Sequence, residues 1–214
     1  MKKEFVEKLV RAFKEGSKYP SLSIEQPGAT IELAYEIQQL FVAELQTEKA
    51  GYKAAVTSEP IQQIMSIKAP VSGVLFSSGE FQPNTIIQDS KDVLIETELG
   101  FQTNIDITKP VEPAKVYTLF ECFYPMIEIA SPNLEGKPNG VDLIASNSAS
   151  FGFIKGDRID FDKTDPDSVV ASLNRGNDEL HSVNCSSVMG GQSIALAWLI
   201  NQILSREPLI PVSY

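Results

Sequence analysis

The stretch Val93-Leu94-Ile95-Glu96-Thr97-Glu98-Leu99-Gly100-Phe101 decides how this chain is read. In an extended strand successive side chains point to opposite faces, so Val93, Ile95, Thr97, Leu99 and Phe101 share one side and Glu96 and Glu98 share the other. The two carboxylates then stand about 6.5 to 7 Å apart at the backbone, close enough for their charges to repel unless a cation lies between them. Two readings follow: a half-exposed strand whose Glu face is simply wet, or one half of a metal site. A second segment, Phe123 to Ala130 (FYPMIEIA), is β-rich and apolar except for Glu128. A lone carboxylate among Met126, Ile127 and Ile129 is costly to bury unless something pairs with it. Three glutamates on two strands form an all-oxygen donor set, which suits Mg²⁺ or Mn²⁺ better than Zn²⁺.

The rest of the composition bounds what such a site could serve. The 214 residues suffice for one sizeable core, or one core with a helical appendage, and 43% hydrophobic with 21% charged residues is ordinary for a globular protein. A net charge of −10, with Lys and Arg scattered, argues against nucleic acid or an anionic membrane as partner. A carboxylate ligand would need a local positive centre, such as a bound metal with a nearby lysine. Cys122 and Cys185 have no paired spacing and fit buried thiols in a reducing compartment. The start MKKEFVEKLV has no signal-type apolar core, and the run from Ile194 to Ile200 is far too short to span a bilayer, so the expected location is the cytoplasm.

Taken in order, Lys2 to Glu15 places Phe5, Leu9, Val10 and Phe13 at helical spacing with Gly16 as the stop. Thr30 reads as the N-cap of a long helix carrying Ile31, Ala34, Ile37, Leu40, Phe41 and Leu45. Residues 1–50 are therefore expected to form a helical arm whose apolar stripe packs on a core, and residues 51–214 a β-rich domain. Gly51 to Thr57 reads as a strand with Lys53 on the face opposite Tyr52 and Ala54. Ser58 is expected to cap a short helix whose apolar side is Ile61, Met65 and Ile67. By itself Lys53 reads as a snorkelling surface lysine. A short helix is expected over 112–120, strands over 150–154 and 169–173, and a last helix over 192–204 burying Ile194, Leu196, Ala197, Trp198 and Ile200, with Trp198 as a core anchor. His181 sits in the polar segment ELHSVN. With no GxSxG elbow in the chain, serine- or cysteine-histidine catalysis is a poor fit.

Six blocks in order then resemble one family: GYKAAVTSEPIQQIM from Gly51, SGVLF from Ser72, LIETELGF from Leu94, YPMIEIA from Tyr124, GVDLIASNSASFG from Gly140 and MGGQSIALAWLINQI from Met189. The chain is similar to the branch of the fumarylacetoacetate hydrolase superfamily that holds the 2-hydroxypentadienoate (2-keto-4-pentenoate) hydratases and 4-oxalocrotonate decarboxylases. The resemblance implies an α+β fold, a helical arm followed by a mixed β-sandwich or roll. It implies Mg²⁺ or Mn²⁺ on Glu96, Glu98 and Glu128, a proton-transfer or carboxylate-fixing role for Lys53, and substrate contacts from Ser58, Ser72 and Asn147. Asn147 has two open readings, as a turn cap or as a group facing the active site.

The activity implied is hydration of a 2-hydroxydienoate, with decarboxylation of a 2-oxo-diacid as the alternative on the same site. A homo-oligomer is expected. Several positions depart from the family pattern: Val71 where an acidic residue is common, Ser146 where Asp is usual, Val183 in a segment that usually carries Gly, and a chain end some fifty residues early. A catalytically silent homologue serving as a structural or assembly partner is the reading that these departures motivate.

Overall fold

Residues 2–15 are amphipathic in the sense a buried helix needs: Phe5, Val6, Leu9 and Ala12 recur every three to four positions, and all four are buried. This is α1 (Lys2–Glu15) of the computed structural model, which describes residues 2–87 and 92–206. A short α2 (Leu22–Glu25) leads to α3 (Ile31–Leu45), where the Thr30 hydroxyl accepts the Leu33 N–H at 3.2 Å as expected of an N-cap. Helix α3 buries Ala34, Ile37, Phe41, Val42 and Leu45, and closes on Gln46 in the left-handed conformation. Leu40, expected on the same stripe, is 45% exposed. The buried row follows Ile37, Phe41 and Leu45 at four-residue steps, and Leu40 lies a full residue's rotation off it.

The chain divides into two compact units, and the division does not fall at residue 50. One unit is built mainly from residues 2–79 and 129–152. In it the helices share a core with the antiparallel pair β1 (Lys49–Ala55) and β2 (Val71–Phe76) and with α5 (Gly140–Ala145). Leu9, Phe41, Val71, Val74 and Ile144 lie in this one cluster. The N-terminal helices are therefore part of a core, because their apolar faces find partners on β2 and α5. Between β1 and β2 lies α4 (Glu59–Ile64), which buries none of its six residues. Of the apolar side expected there, Ile61 is 41% exposed, while Met65 and Ile67 are half-buried and Ile67 packs against this core.

The other unit is built mainly from residues 80–86, 95–128 and 153–206. Its mixed sheet has the order β3 (Glu80–Phe81), β6 (Ser150–Lys155), β5 (Cys122–Ala130), β4 (Leu94–Gln102), with β7 (Ile159–Asp160) pairing antiparallel to the start of β5. Strands β3 and β6 are parallel. On one face of this sheet the rings of Phe101, Tyr117, Phe120, Phe123 and Phe161 stack or meet edge to face, with centroids 5.3 to 6.3 Å apart. The expected helix over 112–120 is a 3₁₀ helix, Pro113–Leu119, and a smaller core of Ile107, Val116, Ala197 and Ile200 joins it to α6 (Gln192–Leu204).

Asp167 Oδ1 accepts the Gln192 N–H at 2.6 Å and so supplies the start of α6 with a partner from outside the helix. Ile194 of that helix is 42% exposed and Trp198 is half-buried, so the sequence pattern overstates its buried face. The hairpin β8 (Val170–Arg175) and β9 (Asp178–Asn184) turns at Gly176, whose φ of +61° favours glycine, and every residue of β9 is exposed. Cys122 and Cys185 are buried, free thiols. Among the described residues no helix is long and apolar enough to cross a membrane.

Candidate metal centre

Three contacts place β4 against β5. The Tyr124 hydroxyl donates to Gln102 Oε1 at 2.6 Å, a Cβ at Gly100 would meet Met126 Sδ at 2.0 Å, and the carboxylates of Glu96 and Glu98 meet that of Glu128. These contacts climb one strand while descending the other, and all involve even-numbered residues, so one face of the two strands carries them all. The opposite face holds Phe101 and Phe123. The alternation read from residues 93–101 therefore holds, with one difference: Leu94 and Ile95 are 56% and 43% exposed. Strand β4 ends the sheet, and its first residues have little to pack against.

One oxygen each of Glu96, Glu98 and Glu128 lies within 4.8 Å of the other two. Burial is graded across the cluster: Glu128 is 2% exposed, Glu98 half-buried and Glu96 open to solvent. The donor set fits a hard divalent cation. For three atoms no more than 4.8 Å apart, some point lies within about 2.8 Å of all of them, near the ~2.3 to 2.6 Å of Ca²⁺–oxygen bonds and a small contraction from the ~2.1 Å of Mg²⁺. Like charges gathered this closely beside a buried position repel strongly, and a cation among them reverses the sign of the interaction.

The remaining residues implied by the resemblance lie in the other unit. Lys53 is the one buried residue of β1, at 4% exposure, so it is not a snorkelling surface lysine. It pairs with Gly73 on β2, and cross-strand partners share a face. Gly73 is there because nothing larger fits: a Cβ would stand 2.9 Å from the Asn147 carbonyl oxygen and 3.0 Å from Ser148 Cβ. Asn147, Ser148 and Ala149 follow one another at φ of 69°, 53° and 60°, three non-glycine residues in the left-handed region, a costly conformation of the kind that clusters at functional sites.

Side chains hold that loop in place. Asn147 Oδ1 accepts the Val74 N–H at 2.8 Å while its Nδ2 donates to the Val74 carbonyl at 2.9 Å, and the Ser148 hydroxyl donates to the Ser72 carbonyl at 2.8 Å. Asn147 thus acts as an extra strand against β2, a use that neither sequence reading foresaw. Ser72 is 1% exposed, with its N–H donating to the Tyr35 hydroxyl and its carbonyl also taking Gln38 Nε2. Ser58 occupies the N-cap position of α4, but its exposed side chain makes no capping bond.

Among the positions that depart from the family pattern, Val71 is core, the Ser146 hydroxyl bonds back to the Asp142 and Leu143 carbonyls, and Val183 is exposed on β9. His181 is exposed, its Nε2 3.0 Å from Thr97 Oγ1. Sequence reasoning passed over Gln38, a 5%-exposed amide whose Nε2 also bonds the Ile144 carbonyl. The signal was a polar residue beside Ile37 on an otherwise apolar stripe.

No model of a known protein family matches the sequence. By shape, the chain matches 4-oxalocrotonate decarboxylase from Pseudomonas putida G7 in its complex with magnesium and adipate, with a TM-score of 0.81 at 17% identity over 98% of this chain and 83% of that one. The calcium and acetate complex of the same enzyme gives 0.84 at 18% identity with the same coverage. A protein from Yersinia pestis CO92, assigned to the fumarylacetoacetate hydrolase family, matches at 0.54 and 12% identity over 78% of this chain and 79% of its own.

The chain has the fumarylacetoacetate hydrolase fold. By sequence it is 27% identical over 219 aligned residues to the 2-hydroxyhexa-2,4-dienoate hydratase of Comamonas testosteroni, covering 94% of this chain and 81% of that protein. It is 26% identical over 216 to the 2-oxo-hept-4-ene-1,7-dioate hydratase of Escherichia coli, covering 92% and 79%. Within the fumarylacetoacetate hydrolase fold of this chain, Glu96, Glu98 and Glu128 are the residues its own geometry brings together.

Proposed function

We propose that the protein is a divalent-metal-dependent hydratase, a carbon–oxygen lyase that adds water to a 2-hydroxydienoic acid, with Glu96, Glu98 and Glu128 holding Mg²⁺ or Mn²⁺. The observation that carries this reading is the convergence of the three carboxylates from two strands onto one point. The two hydratase relatives and the metal complexes of the structural neighbour support it. When bound, the cation supplies a Lewis acid for the carboxylate and 2-oxygen of the substrate, stabilising negative charge that develops there.

The chain's own residues divide the remaining work. Glu128, shut away from water, anchors the ion, while exposed Glu96 leaves its side of the centre open to an incoming acid. Lys53 is the proposed proton carrier between water and the substrate carbon, and its burial suits a group that must not exchange protons freely with solvent. Ser58, Ser72 and Asn147 enter as substrate-holding groups through the resemblance, the last two alongside the structural bonds they make. Decarboxylation of a 2-oxo-diacid is the second reading, which the likeness to a decarboxylase favours. We also place the protein in the cytoplasm, as an assembly of identical subunits.

The test is turnover of 2-hydroxypenta-2,4-dienoate by Mn²⁺-loaded protein. Loss of the dienol absorbance without carbon dioxide release, abolished in Glu128→Ala, is the expected result. Carbon dioxide release from 4-oxalocrotonate alone would move the assignment to the decarboxylase. A chain that retains Mn²⁺ and turns over neither acid is a silent homologue. Sedimentation of the purified chain as a monomer would remove the assembly from the proposal.

A further inference from the structure

We infer, on the reading of Lys53 as proton carrier given above, that Gln38 and Tyr35 of α3 are positioning residues: they grip the outer edge of β2 at Ser72 and, through Gly73, set the place of Lys53. Gln38 is an amide in a buried row that also holds Ala34, Ile37, Phe41 and Val42. A buried amide costs free energy unless its donors are met, and an apolar residue of like size would pack there without that condition. Gln38 Nε2 donates to two backbone carbonyls, Ser72 of β2 at 3.0 Å and Ile144 of α5 at 2.9 Å, 34 and 106 residues along the chain. The Ile144 carbonyl also accepts the Asn147 N–H at 3.0 Å, where the left-handed run of 147–149 begins. One amide therefore ties α3 to the strand and to the loop at once.

The register shows what this grip acts on. Ala54 pairs with Ser72, Lys53 with Gly73 and Tyr52 with Val74. The Ser72 N–H donates to the Tyr35 hydroxyl at 3.0 Å and its carbonyl accepts Gln38 and the Ser148 hydroxyl, so both backbone groups of Ser72 turn away from β1. Tyr35 and Gln38, three apart on one face of α3, thus hold the two groups of a single residue. Val74 turns outward in the same way, onto the Asn147 amide. Alternate residues of an antiparallel ladder turn to opposite sides, so Gly73 between them gives its N–H and carbonyl to Lys53. The backbone of Lys53 is then located by a residue that is itself located by the grip on its two neighbours.

The side chain is framed by the same parts. Cross-strand partners share a face, and on the Gly73 face the Asn147 carbonyl oxygen lies 2.9 Å from the place of a Cβ. The loop that Gln38 ties down therefore borders the face that carries the Lys53 side chain. A proton carrier tolerates little displacement, since a shift of about 1 Å can cost on the order of a hundredfold in rate.

The test is steady-state hydration of 2-hydroxypenta-2,4-dienoate by Mn²⁺-loaded protein. Gln38→Met, of like length and without donors, is expected to lower kcat at least tenfold while KM and Mn²⁺ affinity stay within twofold of the wild type, the split expected when a group acting in the transition state is misplaced. Tyr35→Phe removes the oxygen that accepts the Ser72 N–H. It should lower kcat threefold or more with the same split, and it decides the matter if Gln38→Met fails to fold. Val42→Ala, one turn along the same helix, loosens the core without touching the grip, and should lower the urea midpoint while kcat stays within twofold. A Gln38→Met kcat within twofold of the wild type, an equal fall of kcat in Val42→Ala, or a rise of KM in place of the fall in kcat would make Gln38 a structural amide and overturn the inference, with the proposed function intact. Lys53→Met must itself lower kcat more than Gln38→Met does. If it does not, or if the wild type turns over no dienoate, the proton-carrier reading fails and takes this inference with it.

Discussion

Asp142 and Glu128 are equally hidden, at 1% and 2% exposure, and only Glu128 shares its place with other carboxylates brought together for a cation. Asp142 is met by hydrogen donors: the Ser21 and Ser23 hydroxyls at 2.6 and 2.8 Å, the Ser23 N–H at 2.7 Å and Asn139 Nδ2 at 2.7 Å. These short bonds to a charged acceptor tie the start of α2 to α5 and make the carboxylate part of the scaffold. Glu128 has two more carboxylates, those of Glu96 and Glu98, within 4.8 Å of its own. The depth of a buried acid thus says little about its role, whereas the sign of the groups turned toward it says a good deal. Donors around an acid make a structural joint, and further acids around it make a place for a cation.

The contrast is sharpest when each residue is removed. Glu128→Gln is expected to weaken Mn²⁺ retention by more than a hundredfold and to bring turnover below detection, as loss of a ligand does, while far-UV circular dichroism stays that of the wild type. Asp142→Ala should do the reverse. With Ser21, Ser23 and Asn139 left facing no acceptor, the loss expected is about 3 to 5 kcal/mol, read as a lowered urea midpoint, with Mn²⁺ affinity within twofold of wild type. A common effect of both substitutions on metal affinity would erase the distinction.

Two glycines extend the comparison with smaller effects. At Gly73 the added methyl would meet the backbone of Asn147, which is held by its own amide on Val74 and cannot yield. Gly73→Ala should cost about 1 to 3 kcal/mol by overpacking. At Gly100 the obstacle is the Met126 side chain, which has other rotamers to adopt. Gly100→Ala should therefore cost under about 1 kcal/mol, yet shift the affinity for 2-oxo acids, because the displaced thioether lies on the carboxylate face. Thermal unfolding and calorimetric titration of the Mn²⁺-loaded protein with a 2-oxo acid separate the two outcomes.

Which parts of this were legible beforehand follows from the range of the interactions. The Thr30 cap, the burial of Phe5 and Leu9, and the alternation that puts Glu96 beside Glu98 are local patterns that survive into the structure, whereas Val10 and Phe13, read on the same stripe, are half-buried and exposed. The pairing of Glu98 with Glu128 could be suspected from the oddity of one acid in an apolar strand. Its register could not, since it depends on how β4 meets β5. The Asn147 bonds to Val74 span 73 residues, and Ser148 and Ala149 carry no preference for the left-handed region they occupy. The division into units escaped for the same reason: each is assembled from separated stretches, which a boundary drawn along the chain cannot express. Strand β3 is two residues long, too short to show any period.

The smallest effect expected concerns charge that appears late in the unit that holds Asp142. Tyr19 lies there, its N–H donating to the Asn133 carbonyl at 2.8 Å and its ring edge-on to Phe41 with centroids 6.0 Å apart. Burial raises its phenol from the ordinary 10.0 to about 12. Because the folded value lies above the unfolded one, the stability tied to the neutral phenol is complete below about pH 10 and is lost as pH rises through 12. Asp142 carries its charge among donors placed for it, whereas a Tyr19 phenolate would form where burial opposes charge. Urea midpoints at pH 9, 10 and 11 should fall more steeply for the wild type than for Tyr19→Phe, with the two converging toward pH 9. Parallel slopes would mean that the phenolate finds solvent in the folded chain, and that this side of the core opens more readily than its packing implies.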